Sequence, residues 1–242
     1  GVIPIPVNTL QTTRDYDYVL RDSRACMLVV SEALYDTFAP AMKDKPDLRH
    51  VIVSGRDAKG QLLFNNICAQ AAPEFKTVET SSDDICFWLY SSGSTGSPKG
   101  TVHLHSHLMQ TAELYGRGVL GIRENGIGFS AAKLFFAYGL GNGMTFPFSV
   151  GATTVLMAER PTPQAVGRVL KQHKPTIFYG VPTLYGAMLA SPDLPQRSEL
   201  ALRVCTSAGE ALPADIGNRW TEKFGVEIID GIGSTEMLHI FL

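Results

Sequence analysis

The sequence predicts an α/β fold in which parallel strands form sheets covered by helices. Short apolar runs rich in β-branched and aromatic residues alternate along the chain with segments of helical periodicity. These runs are continuously apolar rather than alternating, as expected for strands that are covered on both faces. At 242 residues the chain is long enough to bury a substantial core. Together these observations favour a doubly wound architecture of alternating strands and helices.

Seven short runs meet the criteria for buried strands, because each is apolar and rich in β-branched or aromatic residues. The predicted strands span residues 26–31, 50–53, 85–90, 152–157, 176–179, 202–206 and 226–230.

Helical periodicity lies between these runs. Prolines that suit a first helical turn open the segments 163–173 and 213–224, and Gly225 is placed to end the second. The segment 106–118 follows Ser106, which we expect to be its N-cap.

Composition argues against two classes of partner. The 21 basic and 23 acidic residues give a net charge of −2, without the concentrated basic excess of a nucleic-acid-binding protein. Apolar runs stay well short of the roughly 20 residues that cross a bilayer. We therefore expect neither a nucleic-acid nor a membrane partner.

The four cysteines are widely spaced, at positions 26, 68, 86 and 205. We expect reduced thiols in the core rather than disulfides or metal ligands, which favours a cytoplasmic location. The chain begins at Gly1 and stops inside the apolar run HIFL, so we expect it to be cut at both ends.

Residues 91–100 read SSGSTGSPKG, which suits either a flexible linker or a loop that binds phosphate. The strand-like run directly before this segment and the strand-like pattern after it favour the phosphate loop. Glycine allows close approach of an anion, hydroxyls donate to phosphate oxygens, and Lys99 supplies positive charge. The segment is not a Walker loop, since Ser97 and Pro98 separate Gly96 from the lysine.

This segment matches, at every defined position, the phosphate-loop signature of the adenylate-forming superfamily. That superfamily includes acyl- and aryl-CoA synthetases, firefly luciferase and peptide-synthetase adenylation domains. Four more segments resemble its motifs in the family order: LFFAYGLGNG (134–143), YGVPTLYGAML (179–189), TSAGEALP (206–213) and DGIGSTE (230–236). The chain is identified as a member of this superfamily.

The resemblance implies the layered α/β/α/β/α core of the family's large N-terminal domain. Residues 1–124 would form one parallel-sheet subdomain with the phosphate loop, and residues 125–242 a second with the acyl-pocket, adenine and magnesium motifs. The nucleotide would lie between them. The small C-terminal lid domain is not in this sequence, so we expect the isolated chain to be a poor catalyst, and a homodimer is possible.

For ATP and Mg²⁺ the resemblance implies catalytic roles for Thr95, Lys99, Thr235 and Glu236, with Glu236 as the magnesium ligand. A wider set would contact the nucleotide: Ser91, Ser92, Gly93, Ser94, Thr95, Gly96, Lys99, Ser207, Ala208, Gly209, Glu210, Asp230, Gly231, Ile232, Gly233, Ser234 and Thr235. Ile232 departs from the signature, which has an aromatic residue there, so ring stacking on adenine is lost.

The acyl-pocket segment and the residues after Thr235–Glu236 resemble benzoate–CoA ligases, including hydroxybenzoate and aminobenzoate variants. The implied pocket is a flat apolar slot suited to an aryl acid, with coenzyme A as co-substrate. Its expected residues are Phe136, Ala137, Tyr138, Gly139, Ala208, Gly233, His239 and Ile240. For Tyr138 the alternative is a core tyrosine whose hydroxyl is bonded locally.

Two other functions stay open: an aryl-acid adenylation domain that loads a carrier protein, and a nucleotide-binding module without turnover. The alternating His103, His105 and His107 suggest a metal site, but no Cys, Asp or Glu accompanies them. We therefore expect structural roles for these histidines.

Overall fold

The computed structural model describes residues 1–91 and 96–242. The strands are β1 (Met27–Ser31), β2 (His50–Ser54), β3 (Leu62–Leu63), β4 (Ile85–Ser91), β5 (Lys99–Leu104), β6 (Ile127–Ser130), β7 (Thr153–Val155), β8 (Ile177–Gly180), β9 (Val204–Ala208) and β10 (Ile228–Gly231). The α-helices are α1 (Thr13–Ser23), α2 (Glu32–Phe38), α3 (Phe64–Gln70), α4 (His105–Thr111), α5 (Ala137–Leu140), α6 (Phe146–Val150), α7 (Pro163–His173), α8 (Pro182–Leu189) and α9 (Ala214–Phe224).

The strands form parallel sheets, as predicted. One sheet has the order β1-β2-β3 and the other β10-β9-β8-β6-β7, and every neighbouring pair in both is parallel. Strands β4 and β5 pair with each other in a separate two-stranded sheet. All seven predicted strands are present, and each strand end lies within two residues of its predicted position.

The chain divides into two compact units. The first comprises Gly1, Val7–Thr80 and Tyr90–Gly100; the second comprises Val2–Pro6, Ser81–Leu89 and Thr101–Leu242. The family-based division at residue 124 is a different partition and stays a prediction.

In the second unit, the longer helices α7 and α9 cover the five-stranded sheet. Helix α7 has the predicted bounds, and the side chain of its N-cap Thr162 accepts a hydrogen bond from the Ala165 amide. Helix α9 begins at Ala214, so Pro213 is its N-cap and not part of its first turn as predicted; its C-cap Gly225 adopts the left-handed conformation that glycine tolerates. Trp220 of α9 is fully buried against the aromatic rings of Tyr185 and Phe178.

The predicted helix 106–118 forms differently. Leu104 is its N-cap, so Ser106 does not have the predicted role; the His107 Nδ1 atom accepts from the Leu104 amide instead. Beyond Thr111 the backbone changes to a π-helical turn, Ala112–Arg117.

The cysteines are all free thiols, but the prediction that they lie in the core holds only for Cys205. Cys26 and Cys68 are exposed, because the first lies just outside β1 and the second on the exposed helix α3, and Cys86 is half-buried. Within the described residues, no helix is both long and apolar enough to cross a membrane.

Candidate active site

The predicted phosphate loop connects two paired strands. Strand β4 ends at Ser91, and β5 begins at Lys99, which is exposed. The predicted ligands Ser92, Gly93, Ser94 and Thr95 lie outside the described residues. Gly96 has φ = +93°, a conformation that favours glycine.

The stem of this loop is tied to helix α1 within the first unit. The Tyr90 hydroxyl donates a 2.6 Å hydrogen bond to the Asp22 carboxylate. Burial, with the negative charge of Asp22, raises the pKa of Tyr90, so the hydroxyl keeps the proton that it donates.

The predicted adenine-binding residues meet at the carboxyl ends of two neighbouring strands. In the parallel register of β9 and β10, Ser207 lies opposite Asp230, and Ala208 lies opposite Gly231. Gly209 follows with φ = +95°. This is the edge of an open α/β sheet where ligands bind.

Asp230 also holds the loop that follows β9. Its Oδ2 atom accepts a 2.9 Å hydrogen bond from the Leu212 amide, across 18 residues of sequence. Glu210, between these two points, is exposed. Strand β10 therefore fixes the path of the loop that follows β9.

After β10 the chain folds back on itself. The Ile232 amide donates to the Leu242 carbonyl at 2.8 Å, the Phe241 amide donates to the Ile232 carbonyl at 3.0 Å, and Gly233 forms an antiparallel bridge with Ile240. The Ile232 side chain is 64% exposed, so it presents an apolar surface where the family signature has an aromatic ring.

The tip of this hairpin carries Thr235 and Glu236. The Leu238 amide donates to the Thr235 carbonyl at 3.1 Å, and the Ser234 hydroxyl oxygen accepts from the Met237 amide at 3.1 Å. Leu238 adopts φ = +64°, which is rare for a residue with a branched side chain.

Buried packing holds Leu238 in that conformation. Its side chain is 4% exposed and belongs to a cluster with Phe87 and Leu89 of β4 and Leu140 of α5. With Leu238 anchored, Thr235 lies half-buried and Glu236 points outward at the tip. The sequence pattern did not single out Leu238, because one leucine in a short apolar run carries no signal of a positive φ.

Glu236 suits the magnesium role. Its carboxylate is exposed and makes no hydrogen bond or salt bridge with any residue in the ranges 1–91 and 96–242. Magnesium in nucleotide sites binds through one or two carboxylates together with phosphate oxygens, and retains water. An outward-pointing carboxylate with no partner among the described residues fits that donor set.

The three histidines do not share one face. Strand β5 ends at Leu104, so His103 lies in the strand whereas His105 and His107 lie in α4. His103 is buried, stacks on Phe87 with ring centroids 5.0 Å apart, and its Nδ1 atom lies 3.3 Å from Nδ1 of His107.

His103 is also a neighbour of the Thr235–Glu236 turn. Burial, followed by the charge of His107, lowers the pKa of His103, while the Thr235 backbone and the charge of Glu236 act in the opposite direction. The lowered pKa favours the neutral form of His103. Sequence alternation alone did not connect the histidine with a motif more than 130 residues away.

Tyr138 of α5 bonds to two neighbouring sheet strands, β8 and β9. Its hydroxyl lies 2.5 Å from the Thr206 hydroxyl and donates to the Gly180 carbonyl at 3.2 Å. Burial raises its pKa well above the usual range. The hydroxyl is therefore bonded locally, as expected of a core tyrosine, and the residue is half-buried.

His239 is buried in an aromatic enclosure beside Tyr138. Its ring centroid lies 4.6 Å from Phe146, 4.9 Å from Tyr115 and 5.3 Å from Tyr138. Its Nε2 atom lies 2.9 Å from Oδ1 of Asn142. Burial lowers the pKa of His239 to about 3, so the ring is neutral at physiological pH.

The remaining predicted pocket residues differ in how deeply they are buried. Ala208 and Ile240 are buried in the same cluster as the aromatic enclosure, and Gly139 is buried at the start of α5. Ala137 is half-buried, whereas Phe136 is 48% exposed and packs on Phe135. Asn142 and Thr206 were not among the predicted site residues, because only the fold creates their contacts.

Comparison with known proteins agrees with this geometry. A family model described as AMP-binding enzyme matches residues 1–242. The chain is 61% identical, over its whole length, to a benzoate–CoA ligase of Thauera aromatica, of which it covers 46%. It is 46% identical to a 4-hydroxybenzoate–CoA/benzoate–CoA ligase of Rhodopseudomonas palustris, of which it covers 45%.

A solved structure of a benzoate CoA ligase from Burkholderia xenovorans LB400 superimposes on the whole chain with a TM-score of 0.92 and 56% identity, covering 47% of that structure. The chain thus spans about half the length of the relatives that it matches. With the family match covering every residue, this chain belongs to the AMP-binding enzyme family of adenylate-forming proteins.

Proposed function

We propose that this chain is the nucleotide- and acid-binding part of an aryl-CoA ligase that activates benzoate or a substituted benzoate with ATP. One observation supports this most directly. The adenine segment at β9 and β10, the turn carrying Thr235 and Glu236, and the aromatic enclosure of His239 all lie at the carboxyl end of one parallel sheet or in the hairpin that continues it.

The proposed reaction has two steps. A carboxylate oxygen of the aryl acid attacks the α-phosphorus of ATP, pyrophosphate leaves, and an acyl-adenylate forms. The thiol of coenzyme A then attacks the acyl carbonyl, loses its proton, and displaces AMP. The first attack needs no general base, since the acid is already ionised at neutral pH, so the protein contributes positioning and charge neutralisation.

The residues proposed for that task carry matching groups. Lys99 supplies positive charge to the phosphates, and the Thr235 hydroxyl donates to the α-phosphate. Glu236 would hold the magnesium ion, whose charge offsets that of the phosphate oxygens when it is bound.

The pocket favours a planar acid. Tyr138 and His239 would offer ring faces and Ile240 an aliphatic surface, while Gly233, the bridge partner of Ile240, adds no side chain. A long alkyl chain would need a tunnel, whereas a benzoate ring fits between flat faces. Discrimination among benzoate, hydroxybenzoates and aminobenzoates would depend on one or two polar contacts.

Further parts of the proposal concern the whole protein. We propose a separate lid domain outside this sequence, as in the family, and subdomains divided near residue 124. A cytoplasmic location is consistent with four free thiols. A homodimer is a further possibility that sedimentation would test.

The decisive assay is carboxylate-dependent exchange of pyrophosphate into ATP. The protein should carry this chain together with the flanking segments of the Thauera relative, and benzoate, 4-hydroxybenzoate and a long-chain acid should be compared. We expect exchange with the aryl acids and AMP release on addition of coenzyme A. Exchange without transfer to coenzyme A would favour loading of a carrier protein. ATP binding without exchange would leave a nucleotide-binding module.

A further inference from the structure

Asn142 is completely buried in the second unit, on a π-helical turn. The turn spans Gly141–Thr145, between α5 and α6. A π-turn inserts an extra residue into the helix and thereby redirects the side chains around it; such turns are frequent at functional sites. Here the redirected side chain places its Oδ1 atom 2.9 Å from Nε2 of His239, which is 97 residues away in sequence.

This contact assigns the protons on the imidazole ring. The amide oxygen of Asn142 can only accept, so Nε2 of His239 must donate. The ring is neutral, and therefore Nδ1 carries a lone pair. Within the described part of the chain, neither Nδ1 of His239 nor Nδ2 of Asn142 has a hydrogen-bond partner, although both are buried.

The residues packed around the His239 imidazole leave the ring no room to move. Phe146 and Tyr115 pack on the imidazole. Gly141 leaves room for it, since a Cβ atom there would lie 2.6 Å from Cδ2 of His239. Buried polar atoms without partners are costly, so a fully enclosed histidine–amide pair with two unpaired atoms indicates a constraint from function.

We propose that Asn142 is a positioning residue that fixes the ring orientation and the Nε2–H tautomer of His239 in the aryl-acid pocket. The ring face of His239 is then held in one place beside Tyr138, in the wall of the proposed acid pocket. This inference rests on the proposed function, because it assigns His239 to the aryl-acid pocket.

The test compares Asn142→Leu and Asn142→Ser with the unchanged chain. Leucine preserves volume without an acceptor, and serine keeps polarity but is too short to reach the ring. Val166→Ala, in the separate core beneath α7, is the control for a general loss of stability. Histidine-selective ¹⁵N labelling reports the protonated ring nitrogen, and calorimetry with benzoate and with ATP reports binding.

We expect Nε2 to be protonated and Nδ1 bare in the unchanged chain and in Val166→Ala. In both Asn142 variants, the signals should show mixed tautomers, and the Kd for benzoate should rise about tenfold while that for ATP is unchanged. An unchanged tautomer and an unchanged benzoate Kd in the variants would overturn the inference. Failure of the unchanged chain to bind benzoate, with the tautomer still dependent on Asn142, would instead overturn the aryl-acid function and with it the role of the pair in that pocket.

Discussion

Truncation of Leu238 should displace the turn that carries Thr235 and Glu236. The Leu238 side chain is 4% exposed, so its replacement by alanine removes nearly all of a buried isobutyl group. Transfer alone costs about 2.4 kcal/mol, at about 0.8 kcal/mol for each buried carbon, and the residual cavity raises this to about 3 kcal/mol. We expect urea denaturation to show that loss in Leu238→Ala.

The positive φ of Leu238 provides a second, independent measurement. Glycine at this position relieves about 1 kcal/mol of backbone strain but adds a similar cost in chain entropy. Because glycine also lacks the buried Cβ carbon, Leu238→Gly should be about 0.8 kcal/mol less stable than Leu238→Ala. Without backbone strain to relieve, the entropy cost of glycine would add about 1 kcal/mol to that difference.

The functional effect separates the anchor from general stability. Leu194→Ala removes a leucine of similar burial, 8% exposed, from the core beneath α7. We expect both variants to lose stability, but only Leu238→Ala should weaken Mg²⁺-dependent ATP binding, by at least about fivefold in calorimetry. Equal ATP affinity in the two variants would show that Leu238 does not place Glu236.

Three further predictions concern single groups. Glu236→Gln should change the free energy of unfolding by no more than about 0.5 kcal/mol relative to the unchanged chain, since the carboxylate is exposed. The same change should reduce Mg²⁺-dependent ATP binding about tenfold. Equal ATP binding with and without Mg²⁺ in the unchanged chain would contradict the metal role. The pKa of His239 is about 3 in the folded chain and 6.5 in the unfolded chain, so below pH 6.5 the unfolded state binds a proton that the folded state does not. The free energy of unfolding should therefore be unaffected by this group above pH 6.5 and fall on acidification by up to about 1.4 kcal/mol per pH unit. Urea titrations at pH 6.5 and 5 should show this loss relative to His239→Gln, and parallel curves for the two proteins would contradict it. Gly141→Ala would place a Cβ atom 2.6 Å from His239 and 3.0 Å from Phe146, so benzoate affinity should fall about tenfold with ATP affinity unchanged; normal benzoate binding would show that the ring is free to move.

Local patterns predicted most elements of the fold. The seven apolar runs are strands and the two main sheets are parallel, because continuous apolar stretches are stable only when both faces are covered. Helices α7 and α9 were predicted from proline at the start and from an apolar stripe, both of which act within one or two turns. The prediction failed at Ser106, where a side chain three residues beyond Leu104 caps the helix instead.

The family motifs and the chemical groups that they carry could be read from the order of neighbouring residues, as a phosphate loop or a Thr-Glu pair is. The way in which those groups are held depends on tertiary contacts. Leu238 under the turn, the local bonds of the Tyr138 hydroxyl, and the pairing of Asn142 with His239 each join segments 40 to 150 residues apart. Such contacts depend on which strands lie side by side and on where a π-turn redirects a side chain, and neither leaves a periodic signal in the chain.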